Sequence, residues 1–288
     1  MTGEKITIGV FDSGMGGLTV LRALRAAMPG QSFLYLGDTA RLPYGSRSPD
    51  TVVRYALQAS EILVQRGIGA LVVACNTASA FALEALTARH PELPVFGVVE
   101  PGAAAAAAAA GLNAPGGSVL VLATESTVAG GAYQRAILRL RPDLRVHARA
   151  CSLLVALAEE GEHAGAFCEA VLGRCLNGFL PGGGFPQPAT VLLGCTHFPV
   201  FRSALERLLP PGTVVVDSAA TTAERVAKAF GRDPADRARR AEDARLPDHD
   251  PAGASPVTLL ATDGVGRFKR VGAYFLGWKP GEVELVDL

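Results

Sequence analysis

The sequence predicts an α/β fold of two pseudo-symmetric lobes, each a mainly parallel sheet flanked by helices, with a functional site between the lobes. Two observations lead to this prediction. Short apolar runs rich in β-branched residues alternate with segments of helical periodicity along most of the 288 residues, which is typical of successive βαβ units. In addition, two strand-end motifs of the first half have counterparts 112 and 120 positions later, which indicates a duplicated unit.

Nine apolar runs are predicted to be strands, and most of them are too apolar to have a solvent-exposed face. They are ITIGVFD (6–12), SFLYLGD (32–38), GALVVAC (69–75), LPVFGVVE (93–100), GSVLVLATE (117–125), LRVHARAC (144–151), ATVLLGC (189–195), TVVVDSA (213–219) and PVTLLATD (256–263). Helical periodicity begins at Leu18, Thr51 and Ala78. The alanine run 103–110 is also predicted to be helical, because alanine has the highest helix propensity.

Duplication is indicated by the segments that come directly after the strands. The strand that ends in Asp12 leads into a glycine-containing turn and a helix, and so does the strand that ends at Thr124. The strand that ends in Cys75 opens a helix, as does the strand that ends in Cys195. We therefore expect two lobes related by an approximate twofold relation.

These correspondences divide the chain into a first lobe of residues 1–99 and 212–288 and a second lobe of residues 100–211. The last two predicted strands fall outside the second unit, so the C-terminal part is expected to return to the first lobe. Residues 231–255 are charged and nearly free of large apolar side chains. Such a composition is typical of a helix end followed by an exposed loop.

Composition excludes several classes of protein. Hydrophobic residues make up 49% of the chain, enough for a packed core, and 27 Lys and Arg balance 27 Asp and Glu. The chain therefore lacks the overall positive charge that non-specific nucleic-acid binding requires. Five cysteines at irregular spacing argue against a disulfide framework, and the N-terminus shows no export signal. The longest apolar helix is far shorter than the ~20 residues that span a bilayer. We expect a cytoplasmic protein that binds neither nucleic acid nor membrane.

Ligands of open α/β sheets bind beyond the carboxyl ends of the strands, so strand-end side chains are the first candidates for a site. The motif DSGMGGL after the first strand is similar to a dinucleotide-binding fingerprint. Its spacing fails, because the position of the third glycine is occupied by Thr19. No nicotinamide cofactor is predicted, and Asp12 and Ser13 remain as polar candidates at this strand end.

Two cysteines occupy equivalent strand ends. Cys75 and Cys195 each stand before a helix start, where the helix dipole and unpaired N–H groups favour a thiolate. A buried cysteine is more often a small apolar core residue, and Cys151, Cys168 and Cys175 are assigned to that role because they lack a matching context. Metal-ligand spacings of the C-x2-C or H-x3-H type do not occur in the sequence, so no metal site is predicted.

One histidine lies beside a candidate thiol. His197 follows Cys195 by two positions, whereas the other four histidines lie in helix-end, strand or loop contexts. An imidazole next to a thiol can act as an acid or a base. His197 is therefore a candidate functional residue.

Seven motifs taken together resemble those of bacterial glutamate racemases, members of the aspartate/glutamate racemase superfamily. They are DSGMGGL, LPYGSRS, VVACNTASA, VFGVVEPG, ATESTVAGGAYQRAI, LLGCTHFPV and VVDSAATTAERV, in this order from about residue 6 onward. The resemblance implies interconversion of L- and D-glutamate without a cofactor, by two cysteines on opposite faces of the substrate's α-carbon. It also implies that the D-isomer serves peptidoglycan synthesis.

The resemblance implies roles for individual residues. Cys75 and Cys195 correspond to the catalytic pair, and Asp12 and His197 to the auxiliary acid and base. The residues that match the family's substrate-contacting motifs are Asp12, Ser13, Tyr44, Gly45, Asn76, Thr77, Thr196 and His197.

A further catalytic glutamate of the family lies in a segment that commonly reads C-P-x-F-V-P-x-V-E. Here the segment is CSLLVALAEE, in which both prolines are replaced. Glu159 falls in the matching register and Glu160 is its neighbour, so the sequence leaves open which of the two serves the site. The charged segment 231–255 is interpreted as a lineage-specific insertion.

Three alternatives stay open on the sequence alone. The first is a two-cysteine racemase that acts on aspartate or a related acid, although Thr-His rather than Thr-Glu after the second cysteine favours glutamate by resemblance. The second is a cysteine hydrolase in which Cys195 is the nucleophile and His197 the base, but it leaves Cys75 unexplained. The third is a non-catalytic binding module on the same scaffold. Oligomeric state is also open, and a homodimer is one candidate.

Overall fold

The computed structural model describes residues 6–111, 117–232 and 256–288. Within these ranges the chain forms ten strands. They are β1 (Thr7–Asp12), β2 (Ser32–Gly37), β3 (Ile68–Val73), β4 (Val95–Gly97), β5 (Ser118–Ala123), β6 (Arg145–Ala150), β7 (Thr190–Gly194), β8 (Val214–Asp217), β9 (Val257–Ala261) and β10 (Val283–Leu285).

Helices connect the strands in βαβ order. The α-helices are α1 (Leu18–Ala27), α2 (Pro49–Gln65), α3 (Asn76–Phe81), α4 (Leu83–Arg89), α5 (Val99–Gly111), α6 (Glu125–Gly130), α7 (Ala132–Leu140), α8 (Leu153–Glu159), α9 (Gly165–Cys175), α10 (Arg202–Leu208), α11 (Ser218–Ala229) and α12 (Val265–Leu276). Short 3-10 helices cover Tyr44–Ser46 and Phe198–Phe201. In the part of the chain that the structure describes, every helix is too short or too polar to cross a membrane.

The strands form two sheets in which every pairing is parallel. The first sheet has the order β10-β9-β2-β1-β3-β4, and the second has the order β6-β5-β7-β8. The second order repeats the β2-β1-β3-β4 part of the first, strand for strand. The prediction of an α/β fold with two pseudo-symmetric, parallel-stranded lobes is therefore confirmed, and β9 and β10 extend the first sheet beyond the repeated unit.

The strand predicted over residues 213–219 was assigned to the wrong lobe. It forms β8, which pairs with β7 through contacts such as Leu192 with Val216 in the second sheet, rather than returning to the first lobe. The reason is the repeat itself, because β8 occupies the place in the second sheet that β4 occupies in the first. The return to the first lobe takes place one element later, where α11 packs against α1.

The structure differs from the sequence prediction in two further segments, and a third prediction lies mostly outside the described residues. The run 93–100 is a strand only over β4, and the chain turns into α5 at Val99. The short C-terminal strand β10 was not predicted, since three residues show too little alternation to be recognised. The charged stretch 231–255 lies outside the described residues apart from Gly231 and Arg232.

A single buried apolar cluster runs through both lobes. It includes Val10 and Val72 on the first sheet and Leu120 and Leu193 on the second. The alanine-rich helix α5 lets α7 and the second sheet approach closely, and a Cβ at Gly102 would lie 3.3 Å from the ring of Tyr133. Small side chains on such a helix let neighbouring elements pack at short distance. The two lobes are thus held together by a continuous core rather than by a loose linker.

One prediction concerns glycine in the first lobe. A Cβ at Gly37 would lie 2.2 Å from the carbonyl oxygen of Gly14, so Gly37→Ala must displace main chain rather than a flexible side chain. We expect it to lower the free energy of unfolding by about 1–3 kcal/mol. The measurement is urea denaturation of the purified protein.

A helical glycine provides the control. Gly173 lies inside α9 with no atom within 4 Å of an added Cβ, so Gly173→Ala should raise the free energy of unfolding by roughly 0.5–1 kcal/mol. Equal effects of the two substitutions would show that the close approach at Gly37 is not constrained.

Candidate active site

The candidate site lies where equivalent strands of the two lobes end. Asp12 is the last residue of β1, Cys75 follows β3 by two positions, and Cys195 directly follows β7. Cys75 and Cys195 are 5% and 6% exposed. A negative charge on Cys195 contributes to raising the pKa of Cys75, so the structure brings the two thiols into one electrostatic environment.

Cys75 is positioned as the N-cap of α3. Its Sγ accepts a hydrogen bond from the N–H of Ala78 at 3.4 Å, and the Ser13 hydroxyl also hydrogen bonds to it. Burial, followed by the nearby charge of Asp12, raises the pKa of Cys75 to about 12. In the free protein this sulfur is therefore a protonated thiol at neutral pH.

Asp12 is fully buried beside this thiol. Its Oδ2 accepts from the N–H of Gly14 at 3.0 Å, whereas Oδ1 has no hydrogen-bond partner among the described residues. Burial raises the pKa of Asp12, although His197 and nearby N–H groups act in the opposite direction. A Cβ at Gly17 would lie 2.5 Å from Cβ of Asp12. Gly17 of the motif DSGMGGL therefore makes room for this carboxylate.

Cys195 begins a chain of polar contacts. Its Sγ lies 3.9 Å from Nδ1 of His197, and Nε2 of His197 lies 3.1 Å from Oε1 of Glu159. Nη2 of Arg267, from α12 of the first lobe, donates to Oε2 of Glu159 at 2.7 Å. The side chain of Glu160 is 64% exposed. Of the two glutamates that the sequence left open, Glu159 is the one that contacts His197.

The electrostatics of this series of polar contacts favour the charged form of His197. Burial lowers the pKa of His197, but hydrogen bonds to Cys195 and Glu159 and the charges of both groups outweigh it and raise the pKa to about 10. Burial raises the pKa of Glu159, but its contacts with His197 and Arg267 outweigh burial and lower it. The ring of Phe275 packs edge-on against the imidazole, with the centroids 5.0 Å apart.

The threonines of the two strand-end motifs join the lobes. The Thr77 hydroxyl lies 3.1 Å from the Thr124 hydroxyl and 2.9 Å from the Thr127 hydroxyl. The Thr19 hydroxyl donates to the carbonyl oxygen of Thr196 at 2.9 Å. All of these contacts are buried, and they hold the end of β3 against the end of β5, and α1 against the segment that follows β7.

Asn76 is held by the second lobe. Its Oδ1 accepts from the hydroxyl of Tyr133 at 2.5 Å, and its Nδ2 has no partner among the described residues. The side chain is 3% exposed. An unpartnered buried amide next to Cys75 is available to a ligand.

Tyr44 and Gly45 lie in the short 3-10 helix that follows the cis peptide bond Leu42–Pro43. The Tyr44 hydroxyl donates to Oδ2 of buried Asp38, so its side chain is committed to that carboxylate. At Gly45 a Cβ would lie 2.6 Å from Cβ of Thr124. This segment therefore lines the contact between the lobes, and close approach explains the glycine.

Several residues at the site were not predicted from the sequence. Asp38 and Thr124 are predicted only as strand ends, and the side chains whose contacts with the site were not foreseen are Thr127, Tyr133 and Arg267. A signal existed for Thr127, because Thr124 and Thr127 have the spacing of one helical turn. Tyr133 and Arg267 had no local signal, since their contacts reach across the lobes.

The remaining cysteines stay in the core. Cys151, Cys168 and Cys175 are buried. Within the described ranges, no group of three or more His, Cys, Asp or Glu side chains is arranged to hold a metal ion.

The duplicated fold and its paired strand-end thiols define a two-lobed α/β protein whose candidate site lies between the lobes. The series Cys195, His197 and Glu159 would by itself also suit a cysteine hydrolase. Similarity to known proteins distinguishes a racemase from a hydrolase. The family model described as Asp/Glu/Hydantoin racemase matches residues 18–226. The chain belongs to this family and is an amino-acid racemase.

Individual relatives agree with this assignment over the whole chain. A glutamate racemase of Koribacter versatilis is 41% identical over an alignment of 299 residues, which covers 100% of this chain and 99% of the relative. The crystal structure of glutamate racemase from Thermus thermophilus in complex with β-chloro-D-alanine is 38% identical, with a TM-score of 0.79 and coverage of 99% and 98%. The Francisella tularensis glutamate racemase in complex with D-glutamate is 28% identical, with a TM-score of 0.79 and coverage of 98% of each chain.

The pKa of His197 yields a prediction. Glu159→Gln removes the negative charge beside Nε2, so the pKa of the imidazole should fall from about 10. The pKa of His197 in the folded state is raised above its ordinary value of 6.5. Protonation of His197 therefore stabilises the fold fully below pH 6.5, and this stabilisation is lost as the pH rises through about 10. The variant should therefore lose less stability than the wild type between these pH values. The measurements are NMR titration of His197 and unfolding at several pH values.

Glu160→Gln is the matched control, because it removes the same charge one position away on an exposed side chain. It should leave the titration of His197 close to that of the wild type. Identical titration curves for the two variants would contradict the assigned contact.

Proposed function

We propose that the protein is a glutamate racemase that interconverts L- and D-glutamate by proton transfer between two cysteines, without a cofactor. The observation that carries the proposal is the pair of buried thiols at the equivalent ends of β3 and β7, each with its own titratable neighbour. Asp12 accompanies Cys75, and His197 accompanies Cys195. The substrate follows from the relatives, which are glutamate racemases, one of them in complex with D-glutamate.

Two sulfurs suffice for inversion at the α-carbon. From L-glutamate, the thiolate of Cys195 takes the α-proton, and the electron pair of the broken C–H bond stays on the carbon. The thiol of Cys75 then delivers its proton to the opposite face, which forms the new C–H bond of D-glutamate. Cys195 ends as a thiol and Cys75 as a thiolate, so the reverse reaction uses the same groups in exchanged roles.

The raised pKa of Cys75 suits its role as the acid in this direction. A thiol with a pKa of about 12 keeps its proton until a strongly basic carbanion forms on the facing carbon. His197 can pass a proton to or from the Cys195 sulfur, and Asp12 can do so for Cys75. The polar neighbours therefore serve to restore the protonation states between turnovers.

The carbanion itself must be stabilised by the site. A turnover near 10 per second allows a barrier of only about 16 kcal/mol, and fixed polar groups supply such stabilisation where charge develops. Nδ2 of Asn76 and Oδ1 of Asp12 are buried and have no partner among the described residues. We assign Nδ2 to a substrate carboxylate and Oδ1 to the substrate ammonium group.

The remaining parts of the proposal rest on the resemblance. Substrate contact extends to Ser13, Tyr44, Gly45, Thr77 and Thr196. Glu159 is assigned to the catalytic group because it pairs with His197. The D-glutamate would serve peptidoglycan synthesis in the cytoplasm. A homodimer is one candidate for the assembly. The lobe division at residues 99 and 211 is retained except for β8.

The proposal predicts the fate of the α-proton. When L-glutamate is incubated with the protein in deuterated water, with a chelator and without pyridoxal phosphate, the α-proton NMR signal should disappear and D-glutamate should appear. L-Aspartate in a parallel sample should exchange far more slowly. Activity that required a metal or pyridoxal phosphate would refute the two-thiol mechanism, and faster turnover of aspartate would refute the substrate.

Single cysteine variants separate the two faces. Cys195→Ala should lose racemisation by about a thousandfold or more, and any remaining activity should incorporate deuterium into D-glutamate, because Cys75 still faces that proton. Cys75→Ala should show the opposite preference. Both are read by NMR exchange with each isomer, and Cys168→Ala, a buried cysteine of α9, is the control that should keep wild-type activity.

Two results would contradict this assignment. Substantial racemisation by either variant would exclude the two-base mechanism. Exchange on the reversed isomers would show that the faces are interchanged.

A further inference from the structure

A buried phenol is one of the contacts between the second lobe and the first. Tyr133 lies in α7 and is fully buried, and its hydroxyl donates to Oδ1 of Asn76 at 2.5 Å. Asn76 is the first residue of α3 and directly follows Cys75. The hydrogen bond therefore ties the second lobe to the strand end that carries the first thiol.

The chemistry of the amide determines the direction of this hydrogen bond. Oδ1 of Asn76 carries no proton and can only accept, so the Tyr133 hydroxyl is the donor. Burial raises the pKa of Tyr133, so the phenol keeps the proton that it donates. The Asn76 amide is thereby held with Oδ1 toward Tyr133.

The opposite end of the same amide has no partner. Nδ2 of Asn76 is buried and makes no hydrogen bond within the described residues. Burying an amide N–H without an acceptor is costly. The unpaired Nδ2 of Asn76 therefore indicates that a ligand with an acceptor oxygen binds there. A charge on Cys195 also contributes to raising the pKa of Tyr133, which places the phenol in the electrostatic environment of that thiol.

We propose that Tyr133 is a positioning residue of the site, which fixes the Asn76 amide so that Nδ2 points to a carboxylate of the substrate. This inference rests on the proposed function. Tyr133 itself touches no substrate. It acts through Oδ1, because an amide whose oxygen is held can present its N–H groups in one direction only.

A double-mutant cycle tests the proposal. Tyr133→Phe keeps the ring and its packing but removes the donor, and it should lower kcat/KM for racemisation by about tenfold, the size of one neutral hydrogen bond. In an Asn76→Ala background, which has no amide to orient, the same Tyr133→Phe substitution should change kcat/KM by less than about twofold. Thermal unfolding of all four proteins shows whether each variant is folded.

The outcomes are distinct. A coupled loss supports the positioning role. An equal loss in both backgrounds shows that Tyr133 acts only through packing and overturns the proposal, and so does an unchanged kcat/KM in Tyr133→Phe. Absence of racemisation in the wild type would instead refute the proposed function. In that case a cycle in the free energy of unfolding still tests the hydrogen bond, and no coupling there would overturn the inference too.

Discussion

The hydrogen bonds that join the strand ends of the two lobes are the constraint on which the site depends. Thr77 meets Thr124 and Thr127, and Thr19 meets the main chain of Thr196, all out of contact with water. Buried hydroxyls of this kind are costly to separate, so they hold the end of β3 against the end of β5, and α1 against the segment after β7. Both thiols lie beside these contacts, because Cys75 stands two positions before Thr77 and Cys195 directly before Thr196.

The two halves of the duplicated fold place different polar groups beside their equivalent thiols. Both thiols follow equivalent strands, yet Cys75 has a buried carboxylate nearby and Cys195 has an imidazole held by Glu159. The two substrate isomers are mirror images at one carbon, so a symmetric backbone suits both. The polar neighbours come from different elements: Asp12 ends β1, whereas His197 follows β7 and its partner Glu159 ends α8.

Features that depend on residues close together in the sequence could be predicted, whereas contacts between residues far apart in the sequence could not. The parallel strands and the equivalent positions of Cys75 and Cys195 at strand ends were predictable because they depend on local periodicity and on a repeated motif. The assignment of β8 failed because the motif comparison stopped at Cys195, one strand short of the full repeat. Tyr133 and Arg267 were not predictable, since they act on partners 57 and 108 positions away, and nothing in their own neighbourhood indicates those partners.

The path of the chain through the two sheets has a consequence for biosynthesis. β2 is an inner strand of the finished sheet, but its outer neighbour is β9, which lies some 220 residues further along. At a ribosomal rate of about 5–20 residues per second, that edge of β2 stays open for roughly 10–45 seconds. Meanwhile the whole second sheet can form. An exposed edge of apolar residues invites pairing with other chains, so the nascent first lobe is the stage at which this protein most needs protection in the cell.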